Sequence, residues 1–347
     1  MRGVPLRRFA GFAVVASALI AAGPAAAQGP APGEVNVYSA RQEALIKPQL
    51  DAFAKATGIR VNLITAGEDA IIERMRAEAR NSPADVLLTV DVARLIRATD
   101  AGLLKPIRSE ELEKAIPSQY REKDGRWFAL GLRARVFYYN PEKVNPAELS
   151  TYEALADPKW RGRVCMRSSS ATYNQSLLAS LIAHKGAVAA EAWARGIVAN
   201  MARPPMGGDR DQISGVASGQ CDIGVANTYY FVQMQNGTDA EKAAAGKVKP
   251  FFPAQPGGGA HVNVSGGGVA TNAPNAANAQ KLLEFLASPE AQKIYAEVVF
   301  EYPVRAGVAV APQLQAIGTL NPDTLELSLL AAHQAETIRI FDRVGWK

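Results

Sequence analysis

An α/β protein built as two lobes is predicted by three features of the sequence. From Glu34 onward, short apolar runs alternate with longer segments of helical period. A leader of 27 residues, removed from 347, leaves 320, more than one hydrophobic core ordinarily serves, so two lobes of roughly 150 residues each are expected. Pro256-Gly257-Gly258-Gly259 is a low-complexity stretch that reads as a loop or crossover, which suits a second lobe inserted into the first.

Residues 35–38 form the first predicted strand. Ile46, Leu50, Phe53 and Ala54 then share one helical face that stops at Gly58, a residue suited to the left-handed turn after a helix. Residues 60–64 alternate as a second strand, 70–80 are helical, and 85–89 read as a buried third strand. An extended stretch follows within 127–140, through Arg133-Ala134-Arg135-Val136-Phe137-Tyr138-Tyr139. Strands recur at 163–166, 223–226 and 266–271, with helices between and after them. The expected division is 34–132 for the first lobe, 133–258 for the inserted lobe, 259–305 for the return, and 306–347 for a C-terminal helical segment packing on the second lobe.

The opening residues carry the pattern of a secretory leader: Arg2, Arg7 and Arg8, an apolar run from Phe9 to about Ala22, and Pro24-Ala25-Ala26-Ala27-Gln28, with cleavage expected after Ala27. The apolar run is shorter than the roughly 18 to 20 residues of a membrane-spanning helix. A periplasmic location is therefore expected. Arg7-Arg8-Phe9 also resembles the core of a twin-arginine signal, which leaves export after folding open beside the ordinary route. With no Cys at the cleavage site, a lipid anchor is not indicated.

The formal charge of +5 falls to +2 once the three leader arginines are removed. Residues 105–135 mix both signs rather than forming a basic stripe, so nucleic acid is not an expected partner. Cys165 and Cys221 are the only cysteines, too few and too far apart for a zinc knuckle, and an oxidising compartment favours one disulfide between them.

Familiar catalytic signatures are missing. There is no G-x-S-x-G elbow, H-E-x-x-H, Walker A loop or G-x-G-x-x-G. The three histidines, His184, His261 and His333, are not spaced as ligand pairs; His184 and His333 read as surface or capping residues. Ser168-Ser169-Ser170 reads as a hydrogen-bonding turn, with a hydrolase using Ser169 and His261 as the distant alternative.

Tyrosine stands out by position. Tyr38 ends the first strand before Ser39-Ala40-Arg41-Gln42, where Ser39 and Gln42 match a capping box. Tyr173 lies between Thr172 and Gln175, which match another, and Tyr229 and Tyr230 follow the strand at 223–226. Strand-to-helix junctions of α/β sheets are where ligands bind, and helix N-termini there favour negative charge. A free phenol titrates near pH 10, so a cluster of phenolates needs a strong cation, and Fe(III) suits anionic oxygen donors. Taken singly, each tyrosine reads first as a packing residue with a bonded hydroxyl.

Six segments carry a family resemblance: Val35-Asn36-Val37-Tyr38-Ser39-Ala40-Arg41, Leu88-Thr89-Val90-Asp91, Gly131-Leu132-Arg133-Ala134-Arg135-Val136, Asp157-Pro158-Lys159-Trp160-Arg161-Gly162, Tyr173-Asn174-Gln175-Ser176-Leu177 and Asn227-Thr228-Tyr229-Tyr230. In order and over 34–347, they resemble the periplasmic ferric-iron-binding proteins of bacterial ABC transporters, a transferrin-like group with the type II periplasmic binding fold. The resemblance implies two α/β lobes joined by crossover strands, with iron in the cleft, and an inner-membrane ABC permease as partner of a monomer. By position it implies Tyr38, Tyr173, Tyr229 and Tyr230 as ligands, with Arg133, and more weakly Arg41, as second-shell or anion-binding groups. Many relatives have a histidine before the first tyrosine; Val37 stands here and cannot ligate. Water, carbonate or another small anion is then expected at any vacant position. The reading is binding rather than catalysis, with the same fold holding a polyamine, thiamine-like compound or phosphonate as the alternative.

Overall fold

The structure, a computed structural model, describes residues 1, 3, 33–254 and 258–347. The chain divides into the compact units Met1–Ala31 and Pro32–Lys347, and the second is described below. The expected leader, Met1 and Gly3 apart, lies outside the described residues, as do Pro256 and Gly257 of the Gly-rich stretch.

Alternating units open the fold: β1 (Glu34–Ser39), α1 (Glu43–Thr57), β2 (Arg60–Thr65), α2 (Glu68–Glu78), β3 (Val86–Thr89) and α3 (Val92–Asp100). Helix α1 buries Ile46, Leu50 and Phe53 and ends where Gly58 adopts φ 72°. Next come α4 (Glu110–Ala115) and the long β4 (Phe128–Tyr139). The middle of the chain holds β5 (Val164–Cys165), α5 (Thr172–Lys185), α6 (Ala187–Asn200), α7 (Asp209–Ala217), β6 (Ile223–Asn227), α8 (Thr228–Gln235), α9 (Asp239–Ala245) and β7 (Lys249–Phe251). The return consists of β8 (Val262–Val269), α10 (Ala276–Leu286) and α11 (Pro289–Ile294), followed by α12 (Pro312–Ala316), α13 (Ser328–Ala332) and α14 (Gln334–Val344). No described helix is long and apolar enough to cross a membrane.

Among the described residues the strands form one eight-stranded sheet in the order β2-β1-β3-β8-β4-β6-β5, with β7 also on β4. Strand β4 joins the two lobes. From Phe128 to Ala134 it pairs with β8, and from Arg135 to Tyr139 with β6 and β7. Two buried clusters follow, one including Phe53, Ile71, Leu87 and Leu283, the other including Tyr152, Trp160, Leu177, Trp193 and Trp346. Tyr139 belongs to the second, as a packing residue.

Strand β8 starts at Val262, four residues before the expected 266. Asn263 and Ser265 disguise it as a polar segment, while the following glycines are required by close backbones: a Cβ on Gly268 would lie 2.1 Å from the Arg126 carbonyl oxygen. The C-terminal segment ends in two helices that pack against earlier helices of the chain. Helix α14 packs on α5 and α6, but α13 packs on both α3 and α5, through apolar residues such as the buried Leu330. Cys165 and Cys221 are bonded, with their Cα atoms 5.8 Å apart. The bridge lies beside the parallel pairing of β5 with β6.

Candidate metal centre

Parallel strands β5 and β6 send their carboxyl ends to the same edge of the sheet, and each is followed by a helix that carries tyrosine in its first turn. Tyr173 is the second residue of α5; Tyr229 and Tyr230 are the second and third of α8. This placement brings three of the expected four tyrosines together. The Tyr173 and Tyr229 hydroxyls are 3.1 Å apart, and the Tyr229 and Tyr230 ring centres are 4.1 Å apart. Free N–H groups at both helix starts favour negative charge on these phenols.

Without a cation the Tyr173 and Tyr229 phenols stay protonated. Burial, then the neighbouring Tyr230, pushes Tyr173 well above the ordinary tyrosine value, with Arg133 pulling the other way. Burial, then Tyr173 and Tyr230, does the same to Tyr229, again opposed by Arg133.

Three guanidiniums surround the Tyr173 ring, those of Arg133, Arg167 and Arg135 at 5.2, 5.4 and 5.8 Å from its centre. Buried Asp209 holds two of them, accepting from Arg135 at 3.2 Å and Arg167 at 3.0 Å, and fixes the strand before α8 by accepting the Asn227 backbone N–H. Arg133 is 2 % exposed and donates from Nη1 to Ser265 at 3.2 Å, while its Nε and Nη2 have no protein partner. Two buried donors on one cation are costly unless an acceptor meets them. Arg41 reaches the same region: it donates to Ser265 and pairs with Glu301 at 2.6 Å, and its charge is felt at Tyr229. Both arginines expected from the sequence are therefore beside the cluster.

Tyr38 does not join the other three in any contact among the described residues. Its hydroxyl donates to the two oxygens of Glu78 at 2.9 and 3.0 Å, and Arg74 lies over its ring at 5.0 Å. The sequence reading placed it at a strand end, but β1 continues to Ser39, and Tyr38 sits between Ile64 and Leu87 of the flanking strands. The expected capping boxes are also absent. Ser39 accepts the Arg41 N–H within the turn, α1 begins only at Glu43 after Gln42, whose side chain makes no capping hydrogen bond, and Thr172 is already helical.

The histidines do not assemble a catalytic site. His184, expected at the surface or as a cap, bonds Asp323 at 2.7 Å because the C-terminal segment folds back over it. His333 lies at the junction of α13 and α14. His261 bonds Ser176, not Ser169, at 2.9 Å; burial, then Arg135 and Arg133, depresses it to about 3, too weak a base to activate a hydroxyl. Among the described residues no group of three or more His, Cys, Asp or Glu is placed to hold a metal ion.

Arg135, Arg167, Asp209, Ser265 and Glu301 escaped the sequence reading. Only Arg135 left a signal, since it is two residues from Arg133 on one strand and so on the same face.

Comparison with known proteins supplies the family context. The sequence profile of the bacterial extracellular solute-binding proteins matches residues 49–321. The chain is 49 % identical to "Iron uptake protein A1" of Synechocystis sp., over 90 % of this chain and 88 % of that one. It is 32 % identical to the "Fe(3+)-binding periplasmic protein" of Serratia marcescens, over 85 % and 86 %. Among solved structures, a Trichodesmium protein (IdiA, FutA) in complex with iron and citrate superposes with a TM-score of 0.86 at 49 % identity, over 91 % of this chain and all of that one. A ferric binding protein from Campylobacter jejuni superposes with a TM-score of 0.87 at 37 % identity, over 90 % and 100 %. The Serratia and Campylobacter relatives are binding proteins by name.

Proposed function

The chain belongs to the bacterial extracellular solute-binding protein family, and from that premise we propose that it captures ferric iron and delivers it to an ABC permease in the inner membrane. The carrying observation is the convergence of Tyr173, Tyr229 and Tyr230 beside the open donors of Arg133. Three phenolates cancel the charge of Fe(III), a hard ion that prefers anionic oxygen. Among the described residues no group of three or more His, Cys, Asp or Glu, with the nitrogen and sulfur ligands that would suit a softer metal, is assembled. Arg133, with Arg41 beside Tyr229, suits a small anion such as carbonate, or water, completing the coordination shell. Tyr38, held by Glu78, stands outside the ligand set in this reading. The relatives' names and the iron-bound Trichodesmium structure support the same cargo.

The role is binding, not catalysis. Residues 34–132 and 259–305 act as one lobe and 133–258 as the other, closing over the metal about the shared strands. A cleaved leader places the monomer in the periplasm. The test is metal analysis and a visible spectrum of protein purified from that compartment: one iron per chain and a phenolate-to-Fe(III) charge-transfer band are expected. A colourless protein that takes up no iron from ferric citrate contradicts the proposal.

A further inference from the structure

Helix α5 carries Tyr173 on one side and a row of polar groups on another. Thr172, Gln175 and Ser176 occur at spacings of three and four, so they share one face of the first turn. Each meets a group reached from the other lobe. The Thr172 hydroxyl donates to Oε2 of Glu68, the first residue of α2, at 2.9 Å. The Gln175 side-chain oxygen accepts from Arg94 of α3 at 3.3 Å, and from Gln334 of α14 at 2.7 Å. Ser176 accepts from Asn263 of β8 at 2.6 Å, and the same amide nitrogen donates to Asp91, the cap of α3, at 2.7 Å.

The Glu68 contact is the most exacting of these. Its Oε1 accepts the Val90 backbone N–H at 3.2 Å, and Arg94 approaches to 3.9 Å, so the carboxylate is oriented from its own lobe before it meets Thr172. Its side chain is 12 % exposed. Thr172 is adjacent in sequence to Tyr173, so whatever anchors it also fixes where that phenol stands.

We propose that Glu68 is a positioning residue: its bond to Thr172 is an interlobe latch that sets the Tyr173 helix in the closed, iron-holding form. This rests on the ferric-iron reading above. A hydrogen bond to a charged group contributes enough that its loss is expected to speed opening, and with it iron release, by about tenfold.

The test loads ferric iron into the leader-free protein and into T172V, E68A and the double variant, then follows transfer to excess chelator. T172V is nearly isosteric and keeps the helix even if E68A folds poorly. T172V should release iron about tenfold faster than the parent, E68A at least as fast as T172V, and the double variant no faster than E68A, because the Thr172 contact is already lost there. The band maximum should be unchanged, since no ligand is altered, and melting of metal-free T172V should match the parent. Parent-like release from T172V overturns the latch. So does additive acceleration in the double variant, equal destabilisation of the metal-free protein, or a shifted band. Absence of iron from the parent itself instead sinks the ferric reading.

Discussion

Proton release gives the sharpest quantitative consequence of a phenolate site. Burial raises the Tyr173 and Tyr229 phenols well above their ordinary value, so both are neutral at working pH. Tyr230 packs against Tyr229, ring centres 4.1 Å apart, and joins them as the third donor in the proposed set. Each must surrender a proton when it binds Fe(III), because the neutral phenol is a poor ligand. The sign follows from the raised values: below them the protonated form is favoured, so the metal competes with protons and affinity falls as pH falls. With three phenols, the apparent affinity should change by about tenfold per phenol, or about a thousandfold in all, for each pH unit. Iron supplied as a chelate of known proton stoichiometry, mixed with protein in weak buffer, should release three protons per iron bound after correction for the chelator. Release of one proton or none would refute the argument, since at most one phenolate would then hold the metal.

Four other outcomes follow. Tyr229→Phe and Tyr230→Phe should each shift or weaken the visible band with folding intact, whereas Tyr38→Phe and the core control Tyr139→Phe should leave band and iron content as in the parent. Reducing Cys165–Cys221 frees a loop with a sequence separation of 56, which should cost about 4 kcal/mol of stability in urea unfolding, with the iron spectrum of the folded protein unchanged. Asp209→Asn breaks a buried ion pair with Arg135 and the contact to Arg167; urea unfolding should show a loss of about 3 kcal/mol or more. Dithionite reduction of the loaded protein should accelerate iron release to a ferrous chelator, because the lower metal charge stabilises phenolates less.

Much of this was legible in the sequence, for identifiable reasons. Apolar runs gave β1, β2, β3 and β6 almost to the residue, because the hydrophobic pattern reports the element directly. The placement of Tyr229 and Tyr230 was legible because β6 passes directly into α8, and that of Tyr173 because a helix start follows β5 after a short loop. Tyr38 failed the same argument by one residue: β1 runs on through Ser39, and the phenol turns to Glu78 instead. Asp209 and Glu301 left no local signal, since their roles arise from contacts 74 positions away to Arg135 and 260 positions away to Arg41. The packing of α13 on both α3 and α5 was hidden likewise, because an apolar helix face does not say which surface it will cover.

The proposed holding of one ferric ion by Tyr173, Tyr229 and Tyr230 calls for a crystal structure of the iron-loaded protein with diffraction recorded above and below the iron absorption edge. One anomalous peak bonded to the three phenolate oxygens is expected, with Tyr38 still on Glu78. A peak bonded to none or only one of the three, or to Tyr38 in place of them, would overturn the proposal.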